Sequence, residues 1–240
     1  MKEQLATSEP VAAPVAKLSA ARRAPTVSPD CIICEKTDKV WTLMLNRTDR
    51  ANMLNIEILQ MLKAHLAAAA RDSSLRALIV TANGERVFCS GADTAETGRQ
   101  ANIQQVLWNE VGEALAGLPV LTIAMINGHC IGRAMTLMLA CDIRISIPQA
   151  RFSYPALQDG TLPSDQDMVR LRELIGPGRT SALLLGGQRI HAERALDWGL
   201  IDYSLERQAL TNFANTLSLV ATQADPDHLE RIKWLCRESI

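Results

Sequence analysis

Two hydrophobic rhythms alternate along this chain of 240 residues. Short apolar runs read as strands, and longer runs with apolar residues three and four apart read as helices. On this reading Cys31–Glu35 and Val40–Asn46 are paired strands joined by the turn Lys36–Lys39. Asn55–Ala70 then places Ile56, Leu59, Leu62, Leu66 and Ala69 on one helical face. Leu75–Thr81 (LRALIVT) is the unbroken apolar run of a strand covered on both sides. Helix Ile103–Leu115, strand Val120–Ile126, helix Gly132–Ala140 and strand Asp142–Ile147 follow, and from Ser164 onward the pattern is mostly helical. Such alternation implies parallel strands joined by helical crossovers. No internal repeat is visible, so pattern alone reaches an α/β domain with a helical C-terminal section.

Residues 1–30, rich in Ala, Pro, Ser and Val, have no apolar period and read as a flexible tail. Glu3 and Glu9 oppose a transit peptide despite Arg22 and Arg23, and no signal-peptide core is present, so a cytoplasmic location is expected. The core is expected over 31–203 and a C-terminal helical section over 204–240.

Composition narrows the function classes. Hydrophobic residues at 48% against 21% charged allow a sizeable core. A net charge of -1, without a dominant Lys/Arg cluster, gives nucleic acid no foothold. No apolar run approaches the ~18 residues needed to span a bilayer. The six cysteines (Cys31, Cys34, Cys89, Cys130, Cys141, Cys236) sit mostly in apolar segments, as small buried hydrophobes of a reducing compartment do. Cys31 and Cys34 make a CxxC without a second pair or spaced histidines, which favours a strand carrying two thiols over a zinc or redox site. No P-loop or G-x-G-x-x-G fingerprint is present, and Ser90 lacks the G-x-S-x-G setting of a hydrolase nucleophile.

Two glycine-containing loops follow buried strands: Val87-Phe-Cys-Ser-Gly-Ala-Asp93, and Ala124-Met-Ile-Asn-Gly-His-Cys-Ile-Gly-Arg-Ala134 leading into Cys141-Asp-Ile-Arg144. Alone, each is a turn. In this order and separation they resemble the crotonase (enoyl-CoA hydratase/isomerase) superfamily. Leu45-Asn-Arg47 with Ala51–Asn55, Phe152–Pro155 with Gly160–Pro163, Leu184–Gly187 and Ala192–Leu200 extend the likeness over roughly Val40 to Asp202. The resemblance implies an α/β fold with a crotonase-like (ClpP/crotonase) ββα spiral core. It also implies a homotrimer or dimer of trimers with C-terminal helices between subunits, although that section is short for the family. Its substrate would be an acyl-CoA or acyl-carrier thioester, the coenzyme A or phosphopantetheine belonging to the substrate, with no separate cofactor or metal. By position, the family's two backbone oxyanion donors fall on Ala92 and Arg133. Such donors stabilise an enolate oxygen without reorganising, and losing one costs ~3 kcal/mol. Ala92, Asp93, Thr94 and Ala95 would line the thioester and pantetheine path, with Gly132, Thr136 and Ala156 around the acyl group. Asp93 suits a turn cap equally well.

The departures carry as much meaning. The family's two hydratase glutamates fall on Thr136 and Ala156, neither of which can exchange a proton near neutral pH. Replacement acids are Asp165 and Asp159, with Asp167 alongside. However, Ser164 as N-cap with Asp165 and Asp167 in a first turn, and Asp159 as a turn residue, explain the same residues structurally. Arg133 stands where the family has glycine; it either meets a substrate carboxylate, as in a malonyl-type thioester, or turns outward to an acid. His129 reads as packed and hydrogen-bonded, and His65, His191 and His228 have no partner signature. Three functions stay open: enolate chemistry (decarboxylation or double-bond isomerisation), a non-catalytic binding or assembly partner, and a hydratase with relocated acids.

Overall fold

The larger of two sheets is the frame on which everything else hangs. The computed structural model describes residues 28–237, so nearly all of the expected tail lies outside the described residues. β1 (Ile32–Thr37) and β2 (Val40–Leu45) pair antiparallel from Ile32↔Leu45 to Thr37↔Val40. α1 (Ile56–Ala69) starts at Asn55, whose side chain accepts from the Ile58 amide, and buries Ile58, Leu59, Leu62, Leu66 and Ala69. It crosses to β3 (Ala77–Ala82), which runs parallel to β2 and is buried at every position.

From β3 the chain repeats one unit: a strand in the large sheet, a short strand in a second sheet, then a helix. β3, β4 (Val87–Cys89) and α2 (Arg99–Ala116) form the first unit. β5 (Leu121–Ile126), β6 (His129–Ile131) and α3 (Ala134–Ala140) form the second. β7 (Ile143–Ser146) and β8 (Arg151–Ser153), followed by α4 (Ala156–Asp159) and α5 (Asp165–Leu184), form the third. β9 (Ile190–His191), α6 (Ala192–Trp198) and β10 (Tyr203–Ser204) complete both sheets, ordered β1-β2-β3-β5-β7-β10 and β4-β6-β8-β9. The spiral is a repeat of topology without a repeat of sequence, which is why none is visible in the residues.

Side chains tie the two sheets together where the chain passes between them. Asn127 Nδ2 donates to Ala82 O at 2.7 Å and to Gly84 O at 2.8 Å, joining the β5–β6 turn to the β3–β4 connection. Asn52, at φ 53°, accepts from Arg47 N and donates to Asn83 O and Val87 O. Asparagine tolerates this left-handed conformation better than most residues. The Asn–Gly and Asn-rich motifs of the sequence thus hold loops in place.

α7 (Arg207–Gln223) and α8 (Pro226–Arg237) finish the described chain. α8 docks on the body of its own chain: Lys233 Nζ donates to Val120 O at 2.7 Å, and Arg237 donates to Ala140 O and pairs with Asp142 at 2.6 Å. Lys233 also pairs with Asp142 at 2.9 Å, yet burial lowers its pKa despite that carboxylate.

Gly128 marks the tightest passage between β4 and β6. A Cβ there would lie 2.7 Å from the Arg86 carbonyl and the Val87 amide, which are backbone atoms with no flexible end to yield. Gly128→Ala is expected to cost about 1–3 kcal/mol by overpacking, read as a lower midpoint in urea; an unchanged midpoint would show that the strands separate freely.

Candidate active site

The loop after β4 meets the start of α3. Gly91 sits at φ +93°, a conformation that side chains resist. A Cβ there would also lie 3.0 Å from Ile131 O and 3.1 Å from Arg133 N, so only glycine lets the two backbones come this close. On the loop's other side, Leu54 N donates to Gly91 O at 3.0 Å and Asp93 N donates to Leu54 O at 3.1 Å. In such a parallel bridge the flanking residues make both bonds. The bridging residue, Ala92, therefore turns its own amide to the opposite side, where β6 lies. After β6, Gly132 (φ +60°) donates to Ser153 O, and Arg133 (φ -58°, ψ -18°) opens α3. Neither the Ala92 amide nor the Arg133 amide has an acceptor among the described residues.

Residues remote in sequence brace this junction. Gln104 of α2 donates from Nε2 to Leu54 O at 2.9 Å and to Asp93 O at 3.3 Å. Glu96 Oε1 accepts from Ile56 N at 3.0 Å, capping α1. Asp93 caps its turn through the Ala95 amide (3.1 Å) and pairs with Arg47 at 2.7 Å. Burial alone would raise the Asp93 pKa, but the Ala95 N–H and the Arg47 guanidinium outweigh it and hold the carboxyl low. Its carboxylate is thus committed to the loop, while Thr94 and Ala95 are exposed beside it. Sequence reading passed over Gln104 and Glu96 because each bonds to a segment about forty or fifty residues away.

A second cluster lies one helical turn past Arg133. Thr136 Oγ1 donates to Asp167 Oδ2 at 2.7 Å, and both side chains are closed to solvent. The Thr136 methyl packs so closely on Gly112 of α2 that a Cβ at that glycine would lie 2.7 Å away. Tyr154 places its buried hydroxyl beside Thr136 without a well-formed hydrogen bond, and Asp167 Oδ1 likewise has none. Arg170 NH1 stands 4.0 Å from that oxygen and is drawn off by Glu113 at 2.9 Å. Burial raises the Asp167 pKa; the Thr136 hydroxyl and Arg170 offset only part of the effect.

Asp165 and Asp159 are not brought into this cluster. Asp165 faces an outer concavity of about 730 Å³ shared with Cys141, Arg144 and Glu173, and Asp159 is exposed at the end of α4. Ser164 is the N-cap of α5, its Oγ accepting from the Asp167 amide at 3.0 Å. Asp167 is therefore both a first-turn residue and an inward one. The signal was present in the sequence: Asp167 stands four and eight residues before Leu171 and Ile175, the buried stripe of α5, whereas Asp165 falls on another face.

Arg133 does not turn outward to an acid. It is 7% exposed and meets no carboxylate directly: its guanidinium donates to Asn109 Oδ1 at 3.2 Å and to Leu162 O at 2.7 Å, bridging α2 to the loop before α5. Ala156 is buried at the start of α4, its amide donating to Tyr154 O at 2.8 Å. His129 is half-buried with an unpartnered Nδ1, and burial, with Arg151 and Arg86 nearby, lowers its pKa. Cys31 and Cys34 remain free thiols, and no metal-binding cluster of three His, Cys, Asp or Glu exists among the described residues. Nor is any described helix long and apolar enough to cross a membrane.

Residues 35–237 match the family model described as enoyl-CoA hydratase/isomerase. A short-chain-enoyl-CoA hydratase of Clostridium acetobutylicum is 32% identical over 191 residues, spanning 78% of this chain and 73% of that protein. A 2,3-dehydroadipyl-CoA hydratase of Escherichia coli is 29% identical over 211 residues, spanning 87% and 82%. Among solved structures, an enoyl-CoA hydratase from Bacillus anthracis superposes with a TM-score of 0.83 at 29% identity, over 87% of this chain and 83% of its own.

The buried acid has a consequence for stability. A carboxyl whose folded pKa lies above its unfolded value takes up a proton on folding, so it favours the fold more as pH falls through the folded pKa, levelling below the unfolded value near pH ~3.9. Compared with Asp167→Asn, the wild-type thermal midpoint should therefore gain ground as pH falls through the raised folded pKa toward about pH 4. Parallel curves for the two proteins would mean that Asp167 titrates as an ordinary carboxylate.

Proposed function

The chain belongs to the enoyl-CoA hydratase/isomerase family and has its crotonase fold, and from that premise we propose that it performs enolate chemistry on an acyl-CoA or carrier-bound acyl thioester. The thioester oxygen is received by the amides of Ala92 and Arg133, and the reaction is a double-bond shift. The supporting observation is the junction at Gly91, which sets two unoccupied amides on adjoining loops with nothing bulkier than a glycine between them. As charge builds on the oxygen, fixed donors of this kind lower the barrier more than they strengthen ground-state binding.

The choice among reactions follows from the side chains. Water addition by the family's paired carboxylates has no counterpart at Thr136 and Ala156, which leaves Asp167 as the one carboxylate in the cluster. Decarboxylation of a malonyl-type thioester would use a free cation, but the Arg133 guanidinium is already engaged by Asn109 and Leu162. A proton shift needs only one acid–base group. The closure of Thr136, Tyr154 and Asp167 to solvent favours a non-catalytic binding role as the second reading.

Arg133→Pro provides the test, because proline fits φ -58° at a helix start and removes only the N–H and the guanidinium. Arg133→Ala removes the guanidinium alone. With β,γ-enoyl-CoA and malonyl-CoA substrates in deuterium oxide, Arg133→Pro should exchange the α-hydrogen about 100-fold more slowly than Arg133→Ala. Equal rates would remove the amide from the mechanism, and thioester binding without exchange in the wild type would establish the binding role instead.

A further inference from the structure

Asp167 is a carboxylate fully removed from solvent, with one oxygen bonded to a hydroxyl and the other without a hydrogen bond, Arg170 NH1 standing 4.0 Å from it. A purely structural acid is expected to satisfy both oxygens, since a buried unpaired acceptor costs stability. Its position is equally specific. Thr136 lies three residues after Arg133, on the same side of α3, so its hydroxyl stands one turn from the amide assigned to the thioester oxygen. The hydroxyl hydrogen points at Asp167 Oδ2, so the Thr136 oxygen keeps its acceptor lone pairs, with the Tyr154 hydroxyl beside them.

We propose that Asp167, acting through the Thr136 hydroxyl, holds the proton that moves between the α- and γ-carbons of the thioester. The inference rests on the enolate reading above and adds to it the group that carries the proton. In the step, the α C–H bond of a β,γ-enoyl thioester breaks and its electron pair enters the dienolate, whose charge comes to rest on the thioester oxygen. Thr136 Oγ1 takes the proton as its own hydroxyl hydrogen passes to Asp167 Oδ2. The reverse transfer delivers a proton to the γ-carbon and yields the α,β-enoyl thioester. Nothing is oxidised or reduced, and no proton is gained or lost overall.

The charged and titratable groups facing Asp167 are Arg133 from the start of α3, Tyr154 after β8, and Arg170 on its own helix. Tyr154 stays protonated because burial pushes its pKa above the ordinary tyrosine value. Asp167, whose carboxyl burial holds above its ordinary value, is thus the group among them whose charge changes as pH falls.

The test uses the full chain and short-, medium- and long-chain β,γ-enoyl-CoA thioesters in deuterium oxide, reading deuterium uptake at the α- and γ-carbons together with thioester affinity. Asp167→Asn and Thr136→Val should each slow exchange by at least about 100-fold with affinity retained. Thr136→Ser, which keeps the hydroxyl, should stay within a few-fold of wild type. The wild-type and Thr136→Ser rates should fall as pH drops through the raised Asp167 pKa, and that acid limb should be missing from the residual rate of Asp167→Asn. A merely structural Asp167 would leave the limb in place. Wild-type-like exchange by Asp167→Asn overturns this proposal and leaves the enolate reading standing. A wild type that exchanges no substrate overturns both.

Discussion

The contact on which this structure turns is backbone against backbone at Gly91, where the carbonyl of Ile131 and the amide of Arg133 stand at the distance a side chain would occupy. Backbone donors can be aimed at one point only if two chain segments converge there, and converging segments exclude a Cβ. Parallel pairing of β4 with β6 brings the loops together, and the ββα repeat is what sets those strands side by side. The braces from Leu54, Gln104 and Ser153 fix the remaining freedom. The converging backbone contacts themselves carry no charge, while the Asp93–Arg47 pair and the Glu96 carboxylate brace the loop beside them.

The fold was legible where burial imposes a rhythm. β3, with every residue buried, announced itself as an unbroken apolar run, and α1 as a stripe ending within one residue of its observed limits. The second sheet left no such trace. Strands of three residues such as β4, β6 and β8 are too short to show a period, and their segments read as turns because Ser90, Gly91, Asn127 and Gly128 flank them. Resemblance of ordered motifs supplied the spiral that periodicity could not.

Within the candidate site, backbone features were more legible than side-chain ones. The loops carrying Ala92 and Arg133 read as turns when taken alone, and it was the ordered family resemblance that placed the two amides. Which aspartate turns inward was not settled by the local motif, since Ser164–Asp167 reads as a helix start whatever its interior face. Only the phase of Leu171 and Ile175, read backward, separates Asp167 from Asp165. The course of Arg133 was illegible for a different reason: its acceptors, Asn109 and the Leu162 carbonyl, come from elements whose approach is set by tertiary packing.

The residues at 133 and 167 are physically one arrangement. A cation as buried as Arg133, held only by neutral acceptors, is costly unless a negative charge stands within reach of its field. An ionised Asp167, 0% exposed and bonded to one neutral hydroxyl, has the same difficulty with the opposite sign. Each lowers the other's cost, and the Arg133 field pulls down the carboxyl pKa that burial pushes up. Arginine at 133 therefore makes a carboxylate in this cluster less costly than it would be beside a residue without charge. Threonine at 136 is short enough to fit against Gly112 and still reach a carboxylate presented from α5. A glutamate at 136 would place a second negative charge on the first, which low dielectric forbids unless one of them keeps its proton. A carboxylate presented from α5 thus excludes a second one at 136, and the residues at 133, 136 and 167 form a set in which changing any single member leaves a buried charge or a buried donor unmatched.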